Sequence, residues 1–154
     1  MSLAPISYHD PHDRPEPLNH PDLSIEWLSN GKIIMTRMAI PAQSVYDQWD
    51  SWMRAALDRW PPEYPLAFLY DFRSRQFGIT LHMGTRLRDI NQAYQHLRTY
   101  RAIVYANGSL SYALVSGIRL LRVTDTHNRE FFTDYDKAFA WLQNQLQTAT
   151  VPSP

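Results

Sequence analysis

The chain of 154 residues contains no cysteine, so disulfides, thiolate metal sites and cysteine nucleophiles are all excluded, and a reducing compartment suits it. It also lacks net charge. Fifteen basic residues balance fifteen acidic ones, which argues against general nucleic-acid binding, because that depends on neutralising phosphates. No apolar run approaches the ~20 residues of a membrane span, and the N-terminus lacks the basic start and apolar core of a secretion signal. These absences lead to the expectation of a soluble cytoplasmic protein. No Walker loop, GxGxxG, HExxH or GxSxG occurs, so no local motif announces a cofactor or a reaction. What is present is apolar: 44% of residues are hydrophobic and 13% aromatic in 18.0 kDa, enough for one packed domain.

Charge is uneven along the chain. Residues 1–26 hold Asp10, Asp13, Glu16, Asp22 and Glu26 against Arg14 alone, a balance of −4. Residues 72–130 hold nine Arg against Asp89, Asp125 and Glu130, a balance of +6. Solvated helix faces account for this, as does an arginine-lined surface for an anion that the acidic arm covers. Five prolines in the first 21 residues predict an extended or disordered arm over 1–23, with the folded domain over 24–146 and a flexible tail over 147–154. His9, Asp10, His12 and Asp13 have metal-ligand chemistry, but a mobile arm holds no coordination geometry, so neither a metal nor a cofactor is expected.

Within the domain, alternation around Ile25 and Trp27, then Asn30-Gly31, then the apolar run Ile33 to Ala39 predicts a hairpin of strands 24–29 and 32–39 with a type I′ turn. Val45, Trp49, Trp52, Met53, Ala56, Leu57 and Trp60 form one apolar helical stripe, which Pro61-Pro62 ends. Leu66 to Asp71 reads as a strand covered on both faces. A second helix is expected over roughly 80–98, a strand at 102–106, and a third helix from Leu110 to Leu121. Residues 129–132 supply a last strand. Thr133 as N-cap, answered by Asp136, opens a last helix over 134–146 whose Trp141 is expected to be buried. The sum is an α/β domain: a β-hairpin followed by βαβ units, a mixed, mostly parallel sheet of about five strands with about four helices.

This order resembles the STAS and SpoIIAA-like domains over roughly residues 24–146. Three segments carry the resemblance: Phe68-Leu69-Tyr70-Asp71-Phe72-Arg73, Ala102-Ile103-Val104-Tyr105-Ala106, and Phe131-Phe132-Thr133-Asp134 with Ala138-Phe139-Ala140-Trp141-Leu142. The resemblance implies an interaction or regulatory module. In signalling members a Ser or Thr opening the helix after the central strand is phosphorylated, which places Thr80 at the switch position here. The family's Asp-Ser-Ser-Gly-Leu-Gly is replaced by Ile79-Thr80-Leu81-His82-Met83-Gly84, without the acid, the second hydroxyl and the first glycine. A plain helix cap explains Thr80 equally well.

Physics places an anion site at the carboxyl ends of parallel strands, where helix N-termini present free N–H groups. Arg73 and Arg75 in one loop, and Asn107, Gly108 and Ser109 in the next, are the candidate anion-binding residues. Trp49, Trp52 and Arg86 are candidate interface residues, being of the types that carry contact energy. For catalysis, His82 and His96 are too far apart along a helix to share a site, His127 beside Asp125 is a lone pair, and Ser109 and Ser111 have no convergent base. The leading expectation is therefore a non-catalytic interaction module that contacts a protein partner or itself as a homodimer. The alternatives are a carrier of a small anionic apolar ligand, with Met53 and Met83 lining its pocket, and a cofactor-free enzyme.

Overall fold

The structure, a computed structural model, describes residues 14–40, 42–74, 81–108 and 127–149. Among the described residues nine elements follow in order: β1 (Leu18–His20), β2 (Leu23–Leu28), β3 (Ile33–Met38), α1 (Gln43–Leu57), β4 (Leu66–Phe72), α2 (Leu81–Ala93), β5 (Thr99–Tyr105), β6 (His127–Phe132) and α3 (Tyr135–Thr148). The six strands lie side by side in chain order, β1 to β3 antiparallel and β3 to β6 parallel. Right-handed crossovers repeated in one direction along a sheet put successive helices on one face. Accordingly α1 and α2 pack together over Ile25, Ile34, Phe68 and Ile103. Helix α3 takes the opposite face, closing over Ile33, Met35, Leu69, Ala102 and Val104 with Ala138 and Leu142. All seven residues of β4 are buried, as its continuous hydrophobic run requires of a strand covered on both sides.

The sheet has six strands among the described residues, one more than expected, because the inner arm is ordered. Leu18–His20 pairs with Leu23–Ile25 as an edge strand, so residues 18–20 of the segment expected to be unstructured belong to the sheet. The hairpin turn is also displaced. Leu28 pairs with Ile33, leaving four connecting residues, and Ser29 (φ 52°), Asn30 (φ 57°) and Gly31 (φ 80°) all adopt positive φ. The Gly31 N–H donates to the Leu28 carbonyl at 3.1 Å, so Ser29-Asn30 sit at the turn's centre rather than Asn30-Gly31.

Helix α3 starts one residue later than the Thr133 cap predicts. Asp134 is the N-cap, its Oδ1 accepting the Lys137 N–H at 3.1 Å, because a carboxylate reaches the N3 amide and also complements the helix dipole. Trp141 is half-buried at the edge, its ring 5.8 Å from Phe132. Ala138 and Leu142, one turn apart, are the fully buried contacts instead. The helix expected over Leu110 to Leu121 lies outside the described residues.

Candidate functional site

Strand alternation turns Asp71 to the α3 face, at the carboxyl end of β4. In the parallel register Arg37 of β3 stands opposite it, and Arg73 follows two residues later as the strand ends. The three side chains meet. Arg37 Nε donates to Asp71 Oδ2 at 3.0 Å, and Arg73 donates through Nε to Oδ1 and through Nη2 to Oδ2, each at 2.8 Å. The Arg73 backbone N–H adds a bond to Oδ1 at 3.2 Å. The Asp71 side chain is 3% exposed, whereas those of Arg37 and Arg73 are 52% and 44% exposed.

Burial alone drives a carboxyl toward its neutral form, but the bonds from Arg73 and Arg37 outweigh it and hold Asp71 below the usual carboxylate range. The same bond to Asp71 pushes the Arg73 guanidinium up. Arg73 also lies 5.4 Å from the centre of the Tyr135 ring, and burial pushes that phenol up. A cleft of about 290 Å³ opens over the cluster, lined by Pro21, Ser24, Arg37, Met38, Ala39, Asp71, Arg73 and Ser74. Ser74 Oγ donates to the Ala39 carbonyl at 2.8 Å, tying the end of β4 to the end of β3.

The expected anion residues separate. Arg73 is in the cleft. Asn107 and Gly108 lie exposed beyond the end of β5 and do not line it. Arg75, Ser109 and the switch candidate Thr80 lie outside the described residues, as do His9, Asp10, His12 and Asp13. Nor do the arginines of the basic stretch share one surface. Arg73 faces the cleft, while Arg86 lies between α1 and α2. Arg101 is turned to the α2 face, where it stacks on Phe68 at 5.5 Å and bonds Asn91, and burial holds its guanidinium below its ordinary range.

The interface residues are corrected as well. Trp49 and Trp52 are 1% and 8% exposed in the core, because the apolar stripe of α1 faces the sheet rather than a partner. Arg86 is spent inside the molecule: its Nη2 donates to Asp47 Oδ1 at 2.9 Å, and its Nη1 stands 3.7 Å from Asp50. His82 Nε2 lies 3.1 Å from the same Asp47 oxygen. Bonds from His82 and Arg86 hold the Asp47 carboxyl below its usual range, so His82 serves as a link between α1 and α2. The carrier reading fares no better. Met53 is wholly enclosed in the core, and the apolar cavity that Met83 lines measures about 10 Å³, room for about one water and not for an acyl chain.

Arg37 is the cleft residue that sequence reasoning missed. It is the sole charge in Ile33–Met38, and pairing that strand in parallel with one ending in an acid brings the two charges together. Two comparisons gave nothing: no family model matches the chain, and no curated protein does. Among solved structures, an uncharacterised protein of the DUF3478 family from Shewanella loihica PV-4, described as having a SpoIIAA-like fold, superimposes with a TM-score of 0.56 at 17% identity, over 78% of this chain and 91% of that one. With the hairpin, the parallel strands and the closing helix in place, the chain has a SpoIIAA-like fold.

Proposed function

We propose that the chain is a non-catalytic SpoIIAA-like interaction module that receives a carboxylate-bearing segment of a partner protein between Arg37 and Arg73. One observation carries the reading. Asp71 engages Nε of Arg37 and Nε and Nη2 of Arg73, so both Nη groups of Arg37 and Nη1 of Arg73 remain without a partner among the described residues and border the cleft. Arginine forks grip carboxylates through paired bonds and are among the side chains that dominate interface energy. Asp134 lies near enough to influence Arg73, and Glu26 near enough to influence Tyr135. The cleft is therefore not a general positive field, and it selects one positioned carboxylate rather than attracting polyanions. A second copy is an eligible partner, since its first 26 residues carry five acids against one base.

The test is a side-chain NMR titration of labelled protein with an end-capped peptide carrying a single glutamate and, separately, with inorganic phosphate. The peptide is expected to move the Nε–H signals of Arg37 and Arg73, and Arg37→Ala to weaken it about tenfold, near the ~1.4 kcal/mol of one charge-assisted bond. A peptide that leaves both signals in place sinks the reading. A response to phosphate alone assigns the cleft to a small anion instead.

A further inference from the structure

Arg14-Pro15-Glu16-Pro17-Leu18 is extended by its sequence. Each proline fixes its own φ and keeps the residue before it out of the helical region, so the segment favours the three-residue repeat of polyproline II. It lies against Trp27 and Trp52, two of three tryptophans that cluster from separate places in the chain. The Trp27 ring stands 5.6 Å from Trp52 and 6.3 Å from Trp60. Trp27 Nε1 donates to the Pro15 carbonyl at 3.4 Å, and Trp52 Nε1 donates to the Glu16 carbonyl at 2.8 Å. Pro15 and Leu18, three residues apart, are half-buried, while Glu16 and Pro17 between them are exposed. Leu18 packs against the main core. The Arg14 guanidinium lies over the Trp27 ring at 5.4 Å.

Every one of these contacts reads a main-chain carbonyl, a leucine or an arginine over an aromatic face. None depends on the segment being joined to this chain. Aromatic grooves whose indole N–H groups bond the carbonyls of an extended proline segment are a recurring means of peptide recognition. We propose that Trp27 and Trp52, with Trp60 stacked on Trp27, form a binding groove for an extended Arg-Pro-x-Pro-Leu segment of a partner protein, and that residues 14–18 occupy it in cis as a tethered competitor. The tether leads directly into β1, which turns at Pro21-Asp22 into β2. An arm anchored there cannot reach the groove of a neighbouring copy unless β1 itself unpairs, which favours a foreign segment over exchange between copies. Because the tethered arm acts at an effective concentration near the millimolar range, an incoming segment is masked until the arm is loosened.

The test uses the full chain carrying Arg14→Ala, Pro15→Gly and Pro17→Gly, with a synthetic peptide copying residues 12–20 as probe. Loosening is expected to move the indole N–H resonances of Trp27 and Trp52, and the peptide to return them toward their original positions. Binding to the variant should be about tenfold or more tighter than to the unaltered protein, and a peptide with both prolines replaced by glycine should bind neither. Should the triple variant lose its circular dichroism, the single variant Pro15→Gly gives the same readout at smaller amplitude. Resonances that ignore the peptide overturn the proposal. So does a concentration-dependent dimer of the unaltered protein that disappears in the loosened one, since that assigns the groove to the arm of a second copy.

Discussion

Replacing Asp71 by Asn tests the cleft at its centre without changing its shape. Each carboxylate oxygen of Asp71 accepts two bonds: Oδ1 from the backbone N–H and Nε of Arg73, Oδ2 from Nε of Arg37 and Nη2 of Arg73. Asparagine keeps one oxygen and sets an NH₂ against two donors. Whichever way the amide turns, two bonds are lost. At about 1.5 kcal/mol for each bond to a charged group the loss is roughly 3 kcal/mol. The two guanidinium groups are about half exposed and rehydrate, so the result should fall below the ~3–5 kcal/mol of a fully buried broken pair. The assay is urea unfolding of both proteins, compared by midpoint at unchanged slope. Acid supplies an internal control. Because the folded-state pKa of Asp71 is depressed, its contribution is complete above the ordinary carboxyl value near ~4 and is lost as pH falls through the depressed value. The gap between the two proteins should therefore be full at neutral pH and shrink in strong acid. A gap under about 1 kcal/mol, or one that does not change with pH, refutes the reasoning.

Other outcomes follow from the packing and the turn. Leu142→Ala, at a site with 0% exposure, should cost about 2–5 kcal/mol in chemical denaturation, whereas Trp141→Ala at the half-buried edge should cost about half of the ~3–5 kcal/mol of an enclosed tryptophan. If Trp141→Ala is the costlier of the two, α3 is rotated from the placement described. Gly31→Ala forces a side chain into φ 80° and drives its Cβ into the Arg14 guanidinium; a loss of about 1–2 kcal/mol is expected, with a change in Trp27 fluorescence as the arm shifts. Tyr94 is pushed up to about 12, by burial first and then by its bond to Asp58. Its contribution to stability should be intact below pH ~10 and disappear as pH rises through about 12. Carbon NMR of labelled tyrosine reads this directly, and a Tyr94 signal titrating near 10 contradicts it.

The elements of this fold are legible in the sequence wherever a local period decides them. The α1 stripe, the unbroken run Leu66 to Asp71 and the apolar run Ile33 to Ala39 each encode one buried face or two, and each element formed within a residue or two of where its pattern predicts. The errors arise where non-local geometry decides. Trp49 and Trp52 are interface-type residues by chemistry, but α1 turns their side of the helix to the sheet. Leu18–His20 is too short and too rich in flanking prolines to read as a strand, and only an available β2 edge makes it one. Thr133 and Asp134 are both good caps, and the end of β6 at Phe132 leaves the second in place. The cleft shows the same division. Arg73 is legible because it ends a strand, whereas Arg37 becomes a site residue only through the parallel register that sets it opposite Asp71.

Both surfaces assigned to partners arise from the same mismatch of sheet and helices. Among the described residues, six strands offer more width than the helices cover on either face. On one face α3 closes over β4, β5 and β6, and the polar ends of β2 and β3 at Ser24 and Arg37 remain open beside its N-terminus. On the other face Trp52 of α1 and Trp60 beyond its end stand beside Trp27 of β2, and the arm lies against Trp27 and Trp52. Chemistry follows from which strand end each gap exposes. The first gap lies at strand ends where charged side chains can reach water, so it holds arginine forks around a buried acid. The second lies along a strand whose inward residues are Leu23, Ile25 and Trp27, so it is apolar with indole donors at its rim. A partner bearing an acidic segment and a partner bearing a proline segment would therefore meet opposite faces of one sheet. The cleft and the tryptophan groove share no lining residue, so each can be altered by substitution without touching the other.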